Sequence, residues 1–160
     1  MNIKFKDLKN KNIVVTGGSG FIGKQVCNAF LNQGAKVFNL DIIKTKSKNR
    51  LINFKTDITN EVDLKKFVTF LKQKKIKIDV LINSAAKDYV PTKKNRNKKK
   101  FTLENFSEKV WNEDLNVSLT GSFLTTKVLG SYMAKNKKGV ILNISSDLGI
   151  IAPNQDIYKK

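Results

Sequence analysis

Three glycines near the start of the chain have the spacing of a turn that holds phosphate groups. Gly18, Gly20 and Gly23 satisfy the pattern G-x-G-x-x-G within the segment VVTGGSGFIGKQ, which runs from an apolar stretch into an amphipathic one. In such a turn the first two glycines let backbone N–H groups approach a diphosphate at a helix N-terminus, and the third lets helix and strand pack closely. The spacing therefore predicts dinucleotide binding.

The same residues leave two other interpretations open. The stretch from Gly18 to Lys24 also matches the nucleoside-triphosphate loop G-x-x-x-x-G-K, but the next position needs a hydroxyl for Mg²⁺ and holds Gln25. A glycine turn that only joins a strand to a helix is the simplest alternative. The dinucleotide interpretation is favoured because Asp41 follows at about the 20-residue distance that this motif requires.

Asp41 also bears on which coenzyme is bound. A carboxylate at this position accepts hydrogen bonds from both ribose hydroxyls, whereas a 2′-phosphate in the same place meets its negative charge. We therefore predict NAD as the preferred coenzyme and NADP as the alternative, because Lys44, Lys46 and Lys48 could soften the preference. An ordinary turn residue after a strand is the other interpretation of Asp41.

The elements that must position these residues alternate between strands and helices. The apolar stretches predict strands at 12–16, 36–40, 51–55, 78–83 and 139–145, and helical spacing predicts helices at 21–33, 60–74 and 105–135. This alternation predicts a single α/β domain over residues 1–160, with a doubly wound parallel sheet in the order 3-2-1-4-5. The positions predicted to be buried on the helices are Ile22, Val26, Ala29, Phe30, Val62, Phe67, Phe70, Leu71, Trp111, Leu115, Leu119, Phe123, Val128 and Met133.

Four segments in this order resemble the short-chain dehydrogenase/reductase family. They are TGGSGFIG, INSAA, LNVSLTGSFLTTK and GVILNISS, and together they cover nearly the whole chain. The resemblance implies a Rossmann-type fold and an NAD(P)-dependent oxidoreductase. It further implies a small substrate with a hydroxyl or keto group, such as a sugar or sugar nucleotide, and a homo-oligomer in the full-length form.

The resemblance also assigns roles to individual positions. Asp57 would bind the adenine amino group with Ile58 beside it, Asn83 and Ala85 would line the adenosine ribose side, and Ser146 would be the catalytic serine. Asp57 as a turn residue and Ser146 as a capping hydroxyl remain open as alternatives. The implied coenzyme contacts are Thr16, Gly17, Gly18, Ser19, Gly20, Phe21, Ile22, Gly23, Asp41, Asp57, Ile58, Asn83 and Ala85.

The departures from the family pattern concern catalysis. Ser118 stands where the family usually has an active-site asparagine, seven residues after Trp111, and no Tyr-x-x-x-Lys pair follows Ser146. Tyr158 lies near the expected spacing, but no lysine follows at the required offset, so we interpret it as a loop residue. These departures predict a domain that is incomplete after the fifth strand and inactive alone, and a non-catalytic NAD-binding module is the alternative function.

Composition limits the remaining classes. The chain has 31 basic and 13 acidic residues, for a net charge of +18, which attracts polyanions. A basic cluster in the predicted exposed loop 87–100 makes polyanion binding a second alternative, although it lacks the regular aromatic residues that stack on bases. No specific nucleic-acid partner is therefore predicted. The cluster consists of Lys93, Lys94, Arg96, Lys98, Lys99 and Lys100.

Cysteine usage and hydropathy predict a soluble cytoplasmic protein. Cys27 is the single cysteine and the chain has no histidine, so we expect neither an internal disulfide nor a metal site. The first residues contain no apolar signal region, and no stretch reaches the length of about 18 apolar residues that a membrane span needs. We therefore expect no membrane partner.

Overall fold

The strands form one parallel sheet. The computed structural model describes residues 4–87 and 103–151, and within these ranges the strands pair in the order β3-β2-β1-β4-β5. Each neighbouring pair is parallel, so the predicted topology is confirmed, with β4 and β5 shorter than predicted. The bounds are Asn12–Thr16 (β1), Lys36–Asp41 (β2), Leu51–Lys55 (β3), Val80–Asn83 (β4) and Val140–Asn143 (β5).

Helices connect the strands close to their predicted positions. α1 spans Phe21–Asn32, and α2 spans Glu61–Gln73 after the Asn60 side chain caps it by accepting a hydrogen bond from Val62 N–H at 2.9 Å. The helix before β5, here called α3, alternates between α and π segments. These are Glu108–Leu115, Asn116–Gly121, Ser122–Thr125, Thr126–Gly130 and Ser131–Lys135. Short 3₁₀ turns lie at Lys6–Leu8, Leu103–Asn105 and Asp147–Gly149.

The sheet has a hydrophobic core on each face. Successive residues of β1 point to opposite faces, which is why its apolar residues are consecutive rather than alternating with polar ones. Ile13 and Val15 pack on the side of α1, and Val14 packs on the side of α2 and α3. The first core contains Ile13, Val15, Cys27, Ala35, Val37 and Ile82. The second contains Val14, Phe38, Leu40, Ile58, Leu64, Phe67, Leu71, Ile78, Leu81, Leu129 and Met133.

The predicted buried face of α3 is largely wrong. Trp111 and Phe123 are 55% and 62% exposed, and Leu115 and Leu119 are exposed as well. The residues that are buried on α3 are Gly121, Thr125, Leu129 and Met133, of which Met133 confirms the prediction. The exposed set and the buried set both recur at every fourth position, so helical spacing alone could not tell which set is buried. The helix approaches Ile58 closely at Gly121, where an added Cβ would lie 2.5 Å from Ile58 Cδ1, and Leu129 and Met133 pack in the second core.

The first turns of α1 and α2 also differ from the prediction. Ile22 and Val62 are exposed, although Phe67 and Leu71 are buried as predicted. The buried residues of α1 are Gly23 and Cys27, which lie one turn apart. This helix therefore packs on the sheet through the face that carries these two residues. Val26, Phe30, Phe70 and Val128 are partly buried, and Ala29 is exposed.

Most apolar side chains of the fifth strand are exposed. β5 pairs with β4 and lies at one edge of the described sheet. Val140 and Leu142 are 64% and 53% exposed, and Ile144 just beyond the strand is exposed too. Ile141 lies near Gly130 of α3, but the other apolar side chains of β5 are largely exposed and contribute little to the core.

One partly buried carboxylate joins three strands at the amino ends of the sheet. Asp79 Oδ2 accepts a hydrogen bond from Asn12 N–H at 2.9 Å, and Oδ1 lies 2.7 Å from Lys138 Nζ. The backbone of Asp79 bonds to both β1 and β5. Burial raises the pKa of Asp79, but the Asn12 N–H and the Lys138 ammonium outweigh burial and hold this pKa below its ordinary value of 3.8.

Replacement of Asp79 by asparagine should lower the free energy of unfolding by about 1–3 kcal/mol at neutral pH. The folded-state pKa is depressed, so the contribution of the carboxylate is complete above 3.8 and is lost as pH falls through the folded-state value. The gap between wild type and Asp79→Asn in urea unfolding should therefore close in acid. An exposed carboxylate, Asp7, provides the control variant Asp7→Asn. A gap that does not depend on pH would contradict this role.

Candidate coenzyme-binding site

The glycine turn lies where the strand order reverses. From β1 the chain proceeds through β2 to β3 on one side, and it then returns to place β4 on the other side of β1. The helices that follow β1 and β4 therefore leave the sheet in opposite directions and open a crevice at the carboxyl ends of these two strands. The turn, Asp41 and the residues after β4 all lie at this edge.

The turn requires its glycines for steric reasons. Gly17 has a φ of +69°, and a Cβ on it would lie 2.7 Å from Ala85 Cα. A Cβ on Gly23 would lie 2.8 Å from Gly18 Cα and still closer to Gly17 O, so α1 rests directly on the turn. Gly20 is less confined, with Gly17 O at 3.2 Å. The turn is therefore too tight for a side chain at Gly17 or Gly23.

Most N–H groups of the turn bond to the protein itself. Gly17 N–H donates to Leu40 O at 2.8 Å and Gly20 N–H to Gly17 O at 3.0 Å. The two between them donate to side chains of β2: Gly18 N–H to Asn39 and Ser19 N–H to Asp41. These four amides shape the turn, and an anion has to be held by other groups.

The first turn of α1 offers those other groups. The first N–H groups of a helix have no partner within it, and Gly20, the N-cap of α1, has no side chain to satisfy them. The helix dipole adds positive potential at the same point. Phe21 and Ile22, the first two residues of α1, are 89% and 55% exposed. The N-terminus of α1 therefore presents N–H donors and positive potential at the edge of the crevice, and its binding of a diphosphate stays a prediction.

Asp41 is both a turn residue and a candidate ribose acceptor. Its Oδ2 accepts from Ser19 N–H and its Oδ1 from Ile43 N–H, each at 2.9 Å, and the residue is 8% exposed. These bonds fix the carboxylate at the edge of the crevice, and each oxygen keeps a further lone pair for a ligand hydroxyl. Lys44, Lys46 and Lys48 are exposed on the loop that follows.

Thr16 contributes to the site indirectly. It is fully buried, and its Oγ1 accepts hydrogen bonds from Ser84 N–H at 3.0 Å and Ala85 N–H at 3.1 Å. These bonds hold the segment after β4 against the turn, and a coenzyme contact at Thr16 stays a prediction. Ala85 packs against Gly17 as a result.

Two buried oxygens at the end of β4 have no hydrogen-bond partner within the described residues. They are Asn83 Oδ1 and Ser84 Oγ. Asn83 Nδ2 donates to Thr126 Oγ1 at 3.0 Å and to Asn143 Oδ1 at 2.7 Å, so the amide joins β4 to α3 and β5. Unsatisfied buried oxygens are costly, and a bound ligand is one way to satisfy them. The sequence did not single out Ser84.

Comparison with known proteins identifies the family. Residues 11–158 match the family model described as short chain dehydrogenase. The chain belongs to this family. Among curated short-chain dehydrogenase relatives, it is 28% identical to an NAD-dependent glycerol dehydrogenase of Listeria innocua, over 94% of this chain and 58% of the relative. It is 30% identical to post-translational flagellin modification protein A of Campylobacter coli, over 95% and 61%.

The fold agrees with that of solved short-chain dehydrogenases. A family member from Leptospira borgpetersenii with bound NAD+ superposes with a TM-score of 0.77 at 29% identity, covering 93% of this chain and 56% of that one. The chain thus spans about three fifths of the length of the relatives it matches.

The residues after β3 have a structural role that the sequence left open. Asp57 Oδ1 accepts from Thr59 N–H at 2.9 Å and from Thr59 Oγ1 at 2.7 Å, which forms a turn that leads into the cap of α2. Asp57 is exposed at the carboxyl edge. Ile58 is 5% exposed and packs in the second core against Gly121. Adenine binding by Asp57, the role that short-chain dehydrogenases suggest, stays a prediction.

The catalytic positions expected in short-chain dehydrogenases are exposed. Ser146 follows β5, and its Oγ lies 3.2 Å from Asp147 Oδ1. Ser118 is exposed on α3, where its carbonyl accepts a hydrogen bond from Ser122 Oγ at 2.8 Å. Tyr158 and the basic cluster of 93–100 lie outside the described residues. The catalytic role of Ser146 stays a prediction.

Cys27 lies beneath the turn as a protonated thiol. It is 2% exposed, and burial, with a smaller effect from the Asp41 charge, raises its pKa to about 11. Its sulfur lies under Gly18, where a Cβ on that glycine would approach it to 2.8 Å. Cys27 therefore supports the turn by packing.

Across 4–87 and 103–151, no group of three or more metal-binding side chains comes together. In the same part of the chain, no helix has both the length and the apolar character to cross a bilayer.

Proposed function

We propose that this chain binds NAD, with NADP as the weaker alternative, as the coenzyme domain of an oxidoreductase. The reaction would interconvert a hydroxyl and a keto group on a small, sugar-like substrate. The observation that supports this most directly is the uncapped N-terminus of α1 above a glycine turn too tight for side chains. The named activity of the Listeria relative, an NAD-dependent glycerol dehydrogenase, supports both the coenzyme and the class of substrate.

The residues present fit the parts of the coenzyme. The first turn of α1 would hold the diphosphate, Asp41 would accept the ribose hydroxyls, and Asp57 would face the adenine. Asn83 Oδ1 and Ser84 Oγ, the two unpaired oxygens after β4, would be satisfied by the bound ligand. The nicotinamide ring, when bound, carries the hydride that the reaction transfers.

The set of candidate catalytic residues is less complete than the set of candidate coenzyme-binding residues. We propose that the Ser146 hydroxyl orients the substrate oxygen by hydrogen bonding. Proton exchange with that oxygen needs a general acid/base, which contributes about 10²- to 10⁴-fold in rate. No Tyr-x-x-x-Lys pair follows Ser146 in these 160 residues. We therefore expect coenzyme binding without hydride transfer from these residues alone, and activity, a homo-oligomer and a cytoplasmic location from a full-length enzyme.

Calorimetric titration of the purified chain tests this proposal. We expect saturable binding of NAD, weaker binding of NADP, and no reduced nicotinamide when glycerol or a hexose is added with NAD. Measurable hydride transfer would contradict the expectation that these residues lack a general acid/base. It would leave the proposed binding of the coenzyme intact. A folded chain that ignores both coenzymes at millimolar concentration would overturn the proposed function.

The high positive charge supports a second candidate, the binding of polyanions. At +18, the chain will attract nucleic acids at low salt without regard to sequence. Binding that disappears as salt rises to physiological levels would be this nonspecific attraction. Binding of single-stranded nucleic acid that persists at physiological salt would favour the second candidate over the coenzyme domain.

A further inference from the structure

An amide side chain interrupts the buried strand β2 beside the glycine turn. Asn39 is 2% exposed, between Phe38 and Leu40, which are fully buried. Burying a polar amide is costly unless it is hydrogen-bonded. The bonds that Asn39 makes therefore indicate what the amide contributes, and nothing in the dinucleotide motif requires it.

The glycine turn packs directly against the Asn39 amide. Asn39 Oδ1 accepts from Gly18 N–H at 2.8 Å, and Asn39 Nδ2 donates to Ser19 Oγ at 3.2 Å. A Cβ on Gly18 would lie 2.7 Å from Asn39 Cγ, so the backbone of the turn touches the amide directly. Ser19 N–H is held by Asp41 from the same strand. Two side chains of β2 thus draw two consecutive N–H groups of the turn inward.

A second amide extends the contact to the loop after Asp41. Asn39 and Asn53 are partners in the register of β2 and β3, and Asn39 Nδ2 donates to Asn53 Oδ1 at 2.9 Å. Asn53 Nδ2 donates in turn to Lys46 O at 2.8 Å, and Asn53 N–H donates to Ser47 Oγ at 2.9 Å. Hydrogen bonds therefore run without interruption from the turn to the loop 42–50.

We propose that Asn39 and Asn53 form an amide relay that sets the shape of the glycine turn for a diphosphate and couples it to the loop 42–50. Asn39 is then a positioning residue: by turning Gly18 N–H inward, it leaves the first turn of α1 as the anion-binding surface. The position needs an amide, because a carboxylate cannot donate to Ser19 and Asn53 and an aliphatic side chain cannot accept from Gly18. The relay rests on the proposed function.

The test compares ADP, which carries a diphosphate, with adenosine, which does not. ADP and adenosine are titrated into the full chain and into Asn39→Leu, Asn39→Asp and Asn53→Asp. Asn39→Leu loses the acceptor for Gly18 N–H, and Asn39→Asp loses the donor to Ser19 and Asn53. Each variant should bind ADP about tenfold more weakly, while adenosine binding changes less than about twofold. A merely structural role would weaken both ligands alike. Asn12→Asp, an amide change at the amino end of β1, serves as the matched control and should leave both affinities unchanged.

Asn53→Asp keeps the test decisive if the Asn39 variants do not fold. This variant retains the acceptor for Asn39 but loses the donor to Lys46, so we expect a smaller loss of ADP affinity, about threefold. Its ¹H–¹⁵N spectrum should show shifted amide signals of Gly18 and Ser19, which Asn53 does not touch. Shifts confined to residues that Asn53 contacts would overturn the relay.

The relay and the proposed function fail in different ways. If the wild-type chain binds neither NAD nor ADP, the proposed function is wrong and the relay has no diphosphate to serve. If the wild-type chain binds ADP and the folded Asn39 variants bind it equally well, the relay alone is overturned. A selective loss of ADP binding in the Asn39 variants supports both.

Discussion

Alanine at Gly23 is expected to abolish measurable NAD binding and to lower the free energy of unfolding by about 3 kcal/mol. The added methyl group would lie 2.8 Å from Gly18 Cα and closer to Gly17 O, and both are backbone atoms that cannot rotate away. Relief requires α1 to move off the turn, which displaces the N–H groups proposed to hold the diphosphate. Urea unfolding and calorimetric titration with NAD measure the two effects.

Two other glycines provide a graded comparison. A Cβ on Gly20 would meet Gly17 O at 3.2 Å, so Gly20→Ala should reduce affinity by a smaller amount. A Cβ on Gly149 meets nothing within 4 Å, so Gly149→Ala should match wild type in both measurements. If Gly23→Ala binds NAD as tightly as Gly149→Ala does, the glycine turn does not hold the coenzyme.

Asparagine at Asp41 is expected to reverse the coenzyme preference. It removes the charge that accepts the ribose hydroxyls, which should weaken NAD about tenfold, and it removes the repulsion that a 2′-phosphate would meet. One oxygen remains to accept a hydrogen bond from Ser19 N–H or Ile43 N–H, so the turn should keep most of its shape. The ratio of the two dissociation constants, from titrations with NAD and NADP, is the quantity to measure.

The control for Asp41→Asn must carry the same change in net charge. Asp7→Asn alters an exposed carboxylate near the amino terminus and should leave the ratio unchanged. Equal weakening of both coenzymes by Asp41→Asn would show that the carboxylate only shapes the turn. A wild-type chain that already prefers NADP would show that Lys44, Lys46 and Lys48 outweigh Asp41.

The order of the strands and the place of the glycine turn could be predicted because they depend on local patterns. The apolar stretches are consecutive rather than alternating, which indicates strands covered on both faces, and parallel strands need the crossovers that the helical segments supply. The need for glycine in the turn then has a steric reason. A side chain on Gly17, Gly18 or Gly23 would meet the backbone of the turn, Ala85 or Asn39.

The burial of helix residues could not be predicted from spacing alone. On α3 the stripe of Trp111, Leu115, Leu119 and Phe123 and the stripe of Gly121, Thr125, Leu129 and Met133 have the same period. The apolar stripe was expected to be inside because it has more surface to bury. The structure instead places Gly121 against Ile58, bonds Thr126 of α3 to Asn83 of β4, and buries Leu129 and Met133 in the second core.

The sequence by itself determined the fold, the family and the residues at the carboxyl edge of the sheet, because these follow from periodicity and from motifs that lie within short segments. Only the tertiary structure decided what each polar group at that edge bonds to. Asn39 and Asn53 lie 14 positions apart, and Asn39 and Gly18 lie 21 apart, yet they are in contact because β2 pairs with both β1 and β3. Contacts across strands depend on register, which no single segment contains.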